Sequence, residues 1–229
     1  MAQEGEPLID MAAARKAKEY SFETKGARVG FIFPVYCYTL PDVVLDFVRG
    51  LSLDECGYVF AIVTCGGGIG GTGKYLSNEL KKKGIHLDYL TPLLMPDNTV
   101  FYFEIKSKEE TDARLEAARV RLGEIREELN AEDHRSARGI SSAFLRPMYH
   151  LIAGTKDFNV TDDCIHCGMC ARLCPDEAIR MEEGRPVWVK KRCTKCSACI
   201  NRCPKAAIQY GKATAGRLRY VNPILKGNG

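Results

Sequence analysis

The cysteines are the residues of this chain whose type and spacing point most directly to chemistry. Eight of the eleven fall in the C-terminal third, in two groups that share the spacing C-x2-C-x2-C-x3-C followed at once by proline. The first group is Cys164, Cys167, Cys170 and Cys174, and the second, 29 residues later, is Cys193, Cys196, Cys199 and Cys203. Each half is too small to bury its own apolar face, so we expect the two halves of this repeat to pack together.

This spacing predicts two [4Fe–4S] clusters. Three thiolates at two-residue gaps wrap one cubane, while the fourth, next to the proline, points away and reaches the other cluster. We therefore expect the first cluster to be held by Cys164, Cys167, Cys170 and Cys203. We expect the second cluster to be held by Cys193, Cys196, Cys199 and Cys174.

Two other uses of cysteine fit the pattern poorly. Structural zinc usually takes one tetrahedral set of ligands, with a longer gap between two C-x2-C pairs. Disulfides are rare in the cytoplasm, and residues 1–7 contain two Glu and lack the apolar core of a secretory signal. Because the sequence also contains no run of 18 apolar residues, it predicts a cytoplasmic protein without a membrane span.

Apolar residues are placed among and beside the cysteines. We expect them to form a shell that keeps water away from the clusters. They are Ile165, Ile179, Val187, Trp188, Ile200 and Ile208. Of the cysteines outside the repeat, we interpret Cys65 as a small buried hydrophobic residue.

The charge of the chain divides unevenly. Residues 161–229 carry 13 Lys and Arg against 6 Asp and Glu, whereas residues 1–160 carry 20 against 23. A [4Fe–4S] core with four thiolates adds roughly −2 to the charge. We therefore interpret the basic C-terminal third as a counter-charge to its clusters, and not as a surface for nucleic acid.

The first 130 residues predict strands and helices in alternation. The predicted strands are residues 28–33, residues 58–64 and a stretch within residues 85–95. The predicted helices are residues 41–51, 74–83 and 108–129. In the last helix we expect the inward side chains to be Leu115, Val120, Leu122, Ile125 and Leu129. This alternation predicts a parallel α/β sheet.

A glycine-rich loop at residues 66–73 follows the second strand and opens a helix. Gly68, Gly73 and Lys74 bring it close to the pattern of a phosphate-binding P-loop. However, Tyr75 stands where Ser or Thr would bind magnesium, and no apolar strand ending in Asp follows. Three interpretations stay open: a flavin-edge loop at the carboxyl end of the sheet, a turn that packs a helix on the sheet, and a nucleotide site.

Four stretches of the sequence resemble the flavodoxin–ferredoxin fusion proteins, in which a flavodoxin-like domain precedes a domain with two [4Fe–4S] clusters. They are residues 30–36 (Gly-Phe-Ile-Phe-Pro-Val-Tyr), residues 63–67 (Val-Thr-Cys-Gly-Gly), residues 95–98 (Met-Pro-Asp-Asn) and the double cysteine motif. The resemblance covers about residues 8–210. It implies an incomplete flavodoxin-like α/β parallel sheet at residues 1–130 and a small α+β two-cluster ferredoxin domain at 158–229. The change in composition between them predicts a linker with a short docking helix at 131–157.

The resemblance also implies a site for FMN. The flavin ring would contact the loops that follow two strands, at Pro34, Val35, Tyr36, Cys65, Gly66 and Gly67. The family's opening strand and its phosphate loop of the Ser-Gly-Thr-Gly-Asn-Thr kind have no counterpart in residues 1–27. Since a flavin phosphate requires such a nest of N–H groups, we expect the chain to bind FMN weakly or not at all.

These features predict an electron carrier that passes single electrons through two [4Fe–4S] clusters, to or from a flavin or a redox partner protein. One alternative is a flavin-dependent reductase fed by the clusters, although the sequence contains no dinucleotide-binding fingerprint. A second alternative is a nucleotide-switched iron–sulfur ATPase. A carrier is favoured over a stand-alone enzyme, because the inference rests on the sites and not on fold analogy.

Overall fold

The computed structural model of the chain describes residues 6–225. It divides into two compact units. The first unit contains the residues up to Pro96 together with Glu109–Tyr149, and the second contains Asp97–Lys108 together with the residues from His150 onward. The ends of the first and last predicted domains, residues 1–5 and 226–229, lie outside the described residues.

The first unit begins with helix α1 (Met11–Ala17) and a two-residue strand, β1 (Ser21–Phe22). The Asp10 carboxylate starts the helix by accepting hydrogen bonds from the N–H groups of Ala12 and Ala13. The strand β1 pairs in parallel with a second short strand, residues 52–53. The sequence did not predict strand β1, because a two-residue strand leaves no periodic signal; β1 lies outside the three-stranded sheet of this unit.

The rest of the first unit alternates strands and helices as predicted. In chain order these elements are β2 (Arg28–Pro34), α2 (Asp42–Gly50), β3 (Ser52–Leu53), β4 (Tyr58–Cys65), α3 (Thr72–Lys81), β5 (Tyr89–Leu94) and α4 (Lys108–Asn130). Strands β2, β4 and β5 form a three-stranded sheet in that order, with every pair parallel. The parallel sheet of the sequence prediction is thus confirmed.

The central strand β4 is covered on both faces, which explains its continuous apolar sequence. On one face, Val59, Ala61 and Val63 pack in a core with residues of α2 and α3. On the other face, Tyr58 and Ile62 pack in a second core with residues of α4. The first unit is therefore layered as helix, sheet and helix.

Helix α4 buries a narrower stripe than its sequence predicted. Thr111, Ala118, Ile125 and Leu129 are buried, at steps of seven, seven and four residues that keep them on one helix face. Val120 was expected to point inward, but it is 55% exposed. It lies two residues beyond Ala118 and hence on the opposite side of the helix, so that expectation is wrong.

A short helical stretch follows at the end of the first unit. A 3-10 turn at Ser142–Leu145 leads into helix α5 (Arg146–Ile152), where Pro147 occupies the first turn and therefore costs no helical hydrogen bond. The Arg146 guanidinium donates to the Leu40 carbonyl over 2.8 Å and to the Asp42 carboxylate. Residues 131–149 thus belong to the first unit, whereas residues 131–157 were predicted as a linker.

The second unit repeats one strand–helix–strand pattern. The elements of the first half are β6 (Phe158–Val160), α6 (Met169–Arg172) and β7 (Ile179–Glu182), and those of the second half are β8 (Arg185–Trp188), α7 (Ala198–Asn201) and β9 (Ile208–Tyr210), with a 3-10 turn at Pro223–Leu225 beyond them. Strand β6 pairs antiparallel with β9, and β7 pairs antiparallel with β8. Every strand pair therefore joins one half of the repeat to the other.

The second unit also includes residues that the sequence assigned to the first domain. Within Asp97–Lys108, Val100 and Phe101 are buried in one core with Ile200 and Ile208. The Arg217 guanidinium donates to the Val100 carbonyl over 2.9 Å. The predicted boundary near residue 130 therefore differs from the observed one, because these contacts join residues about a hundred positions apart in the chain.

Within residues 6–225, no helix combines enough length with enough apolar character to cross a membrane.

Candidate metal centres

The eight cysteines of the repeat line two cavities in the second unit. Cavity 1 is lined by four of them, Cys164, Cys167, Cys170 and Cys203. Cavity 2 is lined by the other four, Cys174, Cys193, Cys196 and Cys199. The two cavities measure about 360 and 340 Å³, including space open to solvent, and this similarity matches the repeat. Each cavity therefore receives three cysteines from one half of the repeat and one from the other half.

The backbone around the cysteines repeats as closely as their spacing. Left-handed residues recur at an interval of 29 positions, in the pairs His166 and Lys195, Gly168 and Ser197, and Glu177 and Ala206. Alternation of left-handed with ordinary residues turns successive N–H groups toward one side, which forms a nest suited to a negatively charged group. The two cysteine loops thus have the backbone of an anion-binding site.

The fourth cysteine of each half begins a tight turn. The Glu177 N–H donates to the Cys174 carbonyl over 3.2 Å, and the Ala206 N–H donates to the Cys203 carbonyl over 3.0 Å. In the first half, the Ala178 N–H also donates to Sγ of Cys174 over 3.2 Å. An N–H group directed at a sulfur stabilises negative charge on that sulfur. Proline immediately after each of these cysteines fits the turn because it needs no N–H partner.

The thiols of cavity 2 are more deeply buried than the Cys170 thiol of cavity 1. Burial raises the pKa of Cys193 to about 11 and the pKa of Cys196 to about 12, and it raises the pKa of Cys199 strongly. In cavity 1, burial raises the pKa of Cys170, whereas Cys167 is exposed. The raised pKa values keep Cys170, Cys193, Cys196 and Cys199 protonated at neutral pH in the absence of metal. A metal centre must therefore displace these protons when it binds.

The donor set fits an iron–sulfur cluster. Each cavity offers four thiolate donors, the ligands that [4Fe–4S] clusters take. Among the described residues, no three His, Cys, Asp or Glu side chains converge as ligands of a single metal ion. In a [4Fe–4S] cubane each cysteine thiolate would bind a different iron, so the four cysteine sulfurs do not need to converge on one point. A ring of cysteines around a cavity meets that requirement.

The predicted apolar shell is present only in part. Ile179, Ile200 and Ile208 are buried, as expected. Ile165 lines cavity 1 but is 53% exposed, and Val187 is exposed and lines neither cavity. Side chains alternate along a strand, so Pro186 and Trp188 face the cavities from β8 and Val187 faces away. This alternation is the sequence signal that would have excluded Val187.

Cavity 2 has an aromatic wall that the sequence did not predict. Phe101, Phe158 and Trp188 line it, and Tyr210 packs edge-on against Phe101 and Phe158. The rings of Phe158 and Trp188 are stacked, with centroids 4.6 Å apart and planes 7° from parallel. Lys195, which also lines this cavity, lies against three of these rings. Burial lowers the pKa of Lys195 to about 8, although the nearby Cys193 thiol acts in the opposite direction.

The residues predicted to contact a flavin lie at one edge of the sheet in the first unit. The Val35 N–H donates to the Thr64 carbonyl over 2.9 Å, so the loops after β2 and β4 are neighbours. Cys65 is buried, as the sequence indicated. The carbonyl of Gly66 accepts a hydrogen bond from the Arg114 guanidinium over 2.8 Å.

The beginning of α3 is covered by the chain itself. The Ser142 N–H donates to the Gly71 carbonyl over 3.2 Å. A Cβ atom on Gly71 would lie 2.0 Å from the Ile140 carbonyl oxygen, so only glycine allows this close approach. Residues 140–142 therefore pack directly against the last residue of the glycine-rich loop before α3.

Comparison with known families agrees with the geometry of the second unit. Residues 163–208 match the 4Fe-4S dicluster domain. The matched segment begins just before the first cysteine of cavity 1 and ends within β9, so it contains all eight cysteines. The dicluster domain supports iron–sulfur electron transfer by this part of the chain. No curated protein matches the chain.

Proposed function

We propose that the chain is an electron carrier with one [4Fe–4S] cluster in each cavity. Cluster 1 is held by Cys164, Cys167, Cys170 and Cys203, and cluster 2 by Cys193, Cys196, Cys199 and Cys174. The observation that carries the proposal is the division of the eight cysteines into two sets of four, one around each cavity of the dicluster domain.

The residues around the cavities suit single-electron transfer. A [4Fe–4S] cluster supplies one-electron redox chemistry when it is bound. The N–H of Ala178 and the N–H groups of the left-handed turns stabilise negative charge on the sulfurs. Ile179 and Ile208 are buried and exclude water from the cavities that they line. Cys167 is exposed, so we place electron exchange with a redox partner protein beside cavity 1.

Anaerobic purification followed by metal analysis tests this function. We expect about eight irons and eight acid-labile sulfides per chain, as two four-iron cubanes require. Chemical reduction should bleach the visible absorbance and give the electron paramagnetic resonance (EPR) signal of reduced clusters. The matched control is the double variant Cys167→Ala with Cys196→Ala, which removes one ligand from each cavity. Two zincs per chain and no iron in the parent protein would contradict the proposal.

The first unit is assigned a supporting role. We propose that it is a flavodoxin-like domain that no longer holds FMN tightly, which makes the flavin-dependent reductase the second candidate function. The neighbouring loops after β2 and β4 favour a flavin-type fold, while the hydrogen bonds to Gly66 and Gly71 oppose a bound flavin. Cysteines that serve as cluster ligands and not as disulfides suit a reducing compartment, and we therefore propose that the carrier acts in the cytoplasm.

A further inference from the structure

A lysine stands among the cysteines of cavity 2. Lys195 lies between Cys193 and Cys196 in the sequence and lines the cavity with them. Its side chain is only 8% exposed. The Nζ atom is fully buried and makes no hydrogen bond to any residue that the structure describes. A buried ammonium group without a hydrogen-bond acceptor is costly, so its position calls for a compensating interaction.

Aromatic rings supply part of that compensation. The Nζ atom lies 3.4 Å from the ring centroid of Tyr210, 4.8 Å from that of Phe101 and 5.0 Å from that of Phe158. Aromatic faces attract a cation without neutralising it. The charged or ionisable groups that act on Lys195 are the Cys193 and Cys199 thiols and the Asp157 carboxylate. The charge of Lys195 is thus held next to two ligand sulfurs of the proposed cluster 2.

We infer that Lys195 raises the reduction potential of cluster 2. This inference rests on the proposed function. Reduction adds one negative charge to a cluster that already carries about −2, and burial opposes that addition. A cation at the cavity wall stabilises the reduced state more than the oxidised state. In surroundings that exclude water the effect of one charge is large. The charge of Lys195 therefore counteracts the effect of burial on the reduction potential of cluster 2.

Among the described residues that line cavity 1, none is a buried cation. The residue 29 positions before Lys195 is His166, which is exposed and whose Nδ1 lies 2.7 Å from the Gly184 carbonyl oxygen. Lys205 lines cavity 1, but it is exposed and its charge is screened by water and salt. The half-buried Arg219 acts on the Cys203 thiol from outside the lining of cavity 1. Lys195 lines cavity 2 and not cavity 1, so its effect falls on cluster 2.

A buried carboxylate acts against Lys195 at the same cavity. Asp176 lines cavity 2 and accepts a hydrogen bond from the Thr194 N–H. Its negative charge raises the pKa of Cys193 and of Cys196 as a minor cause beside burial. An anion disfavours the added electron. Removing the charges of Lys195 and Asp176 must therefore shift the potential of cluster 2 in opposite directions.

A redox titration of the full chain, monitored by EPR, tests the inference. In Lys195→Met, one of the two midpoint potentials should fall, because methionine fills the aromatic cage without a charge. A roughly tenfold change in the ratio of reduced to oxidised cluster at a fixed potential corresponds to about 59 mV for a one-electron couple. Lys195→Arg should keep the parent potential, and Asp176→Asn should raise it. The matched control is Lys191→Met, which removes an exposed charge four residues away and should shift neither potential.

The outcomes separate this inference from the proposed function. A parent protein without two clusters contradicts the function itself. A parent protein with about eight irons, whose potentials are the same in Lys195→Met and Lys191→Met, overturns the inference alone. If Lys195→Met loses cluster 2, Lys195→Gln is titrated instead. Loss of cluster 2 in both neutral variants would make Lys195 a structural residue, which also overturns the inference.

Discussion

Cys174 and Cys203 hold the same place in the two halves of the repeat, yet each lines the cavity formed by the other half's three cysteines. The strand pairs also join the halves, since β6 pairs with β9 and β7 with β8. Neither half can therefore complete its cavity or its sheet alone. The two proposed clusters depend on one folded unit.

The crossed arrangement predicts which cysteine variants act on the same cluster. Cys203→Ser should damage cluster 1 and leave about four irons per chain. Adding Cys167→Ala should remove no further iron, because both residues line cavity 1. Adding Cys196→Ala should remove nearly all the iron, because that residue lines cavity 2. Iron and sulfide assays on purified variants give the result.

The opposite pattern of losses would contradict the crossed arrangement. If Cys203 served its own half, Cys203→Ser with Cys196→Ala would retain about four irons, and Cys203→Ser with Cys167→Ala would lose all of them. Cys174→Ser provides the matched test, because it should be additive with Cys167→Ala and not with Cys196→Ala.

The position of Phe101 leads us to predict that residues outside the matched segment stabilise cluster 2. Its ring is 3% exposed and lines cavity 2, although it belongs to Asp97–Lys108. Phe101→Ala should cost about 3–5 kcal/mol in the stability of the second unit. It should also open cavity 2 to water, so cluster 2 should bleach faster in air or in chelator. The control is Phe103→Ala, since Phe103 is 61% exposed. Equal bleaching in both variants would contradict this role for Phe101.

These examples show where the sequence was informative. The dicluster domain could be predicted because its signal is a local spacing that occurs twice, and the three strands of the sheet because each is an apolar run. Phe101 could not be placed, since its partners Phe158 and Tyr210 are distant in the chain and no periodicity links them. Val120 was misplaced because helix α4 contains more apolar residues than its buried stripe can hold.

The structure predicts that the glycine-rich loop does not bind nucleotide. Tyr75, which takes the place of the magnesium-binding hydroxyl, is buried in the core on one face of the sheet. Thr72 is buried as well. Calorimetric titration with ATP and magnesium should therefore give no heat of binding, and Lys74→Ala should behave as the parent protein does. Micromolar binding that requires magnesium and disappears in Lys74→Ala would favour the nucleotide-switched ATPase.

We predict that the Glu128 carboxylate contributes to the stability of the first unit and that this contribution is lost in acid. It accepts two hydrogen bonds from the Arg121 guanidinium, at 2.7 and 3.1 Å, and one from the Tyr89 hydroxyl. The Arg121 hydrogen bonds, together with the one from Tyr89, lower the pKa of Glu128 from 4.5 to about 2. Because the folded-state pKa is the lower one, this stabilisation is present above pH 4.5 and is lost as the pH falls toward 2.

Glu128→Gln should therefore be less stable than the parent protein at pH 7, by about 1–2 kcal/mol. The difference in unfolding free energy should shrink as the pH is lowered below about 4.5. Urea unfolding followed by far-ultraviolet circular dichroism measures it at each pH. Glu116→Gln is the control, because Glu116 lies on the exposed face of the same helix and pairs only with Arg119 among the described contacts. A difference that is constant from pH 7 to pH 3.5 would show that the Glu128 charge contributes nothing.

The last prediction concerns FMN, whose ring is proposed to contact the loops after β2 and β4. Tight flavin binding depends on N–H groups that receive the phosphate, and each charge-assisted hydrogen bond contributes about 1.5–3 kcal/mol. At the start of α3 the Thr72 N–H already donates to the Ile69 carbonyl, and residues 140–142 pack against Gly71. The phosphate should therefore add nothing to the affinity. FMN should bind no more tightly than riboflavin, which has the same ring and no phosphate. Fluorescence titration with both compounds makes the comparison.

Submicromolar binding of FMN, at least a hundredfold tighter than that of riboflavin, would mean that the glycine-rich loop holds the phosphate after residues 140–142 move away. Weak and equal binding of the two would instead leave the ring as the only part that the loops after β2 and β4 contact.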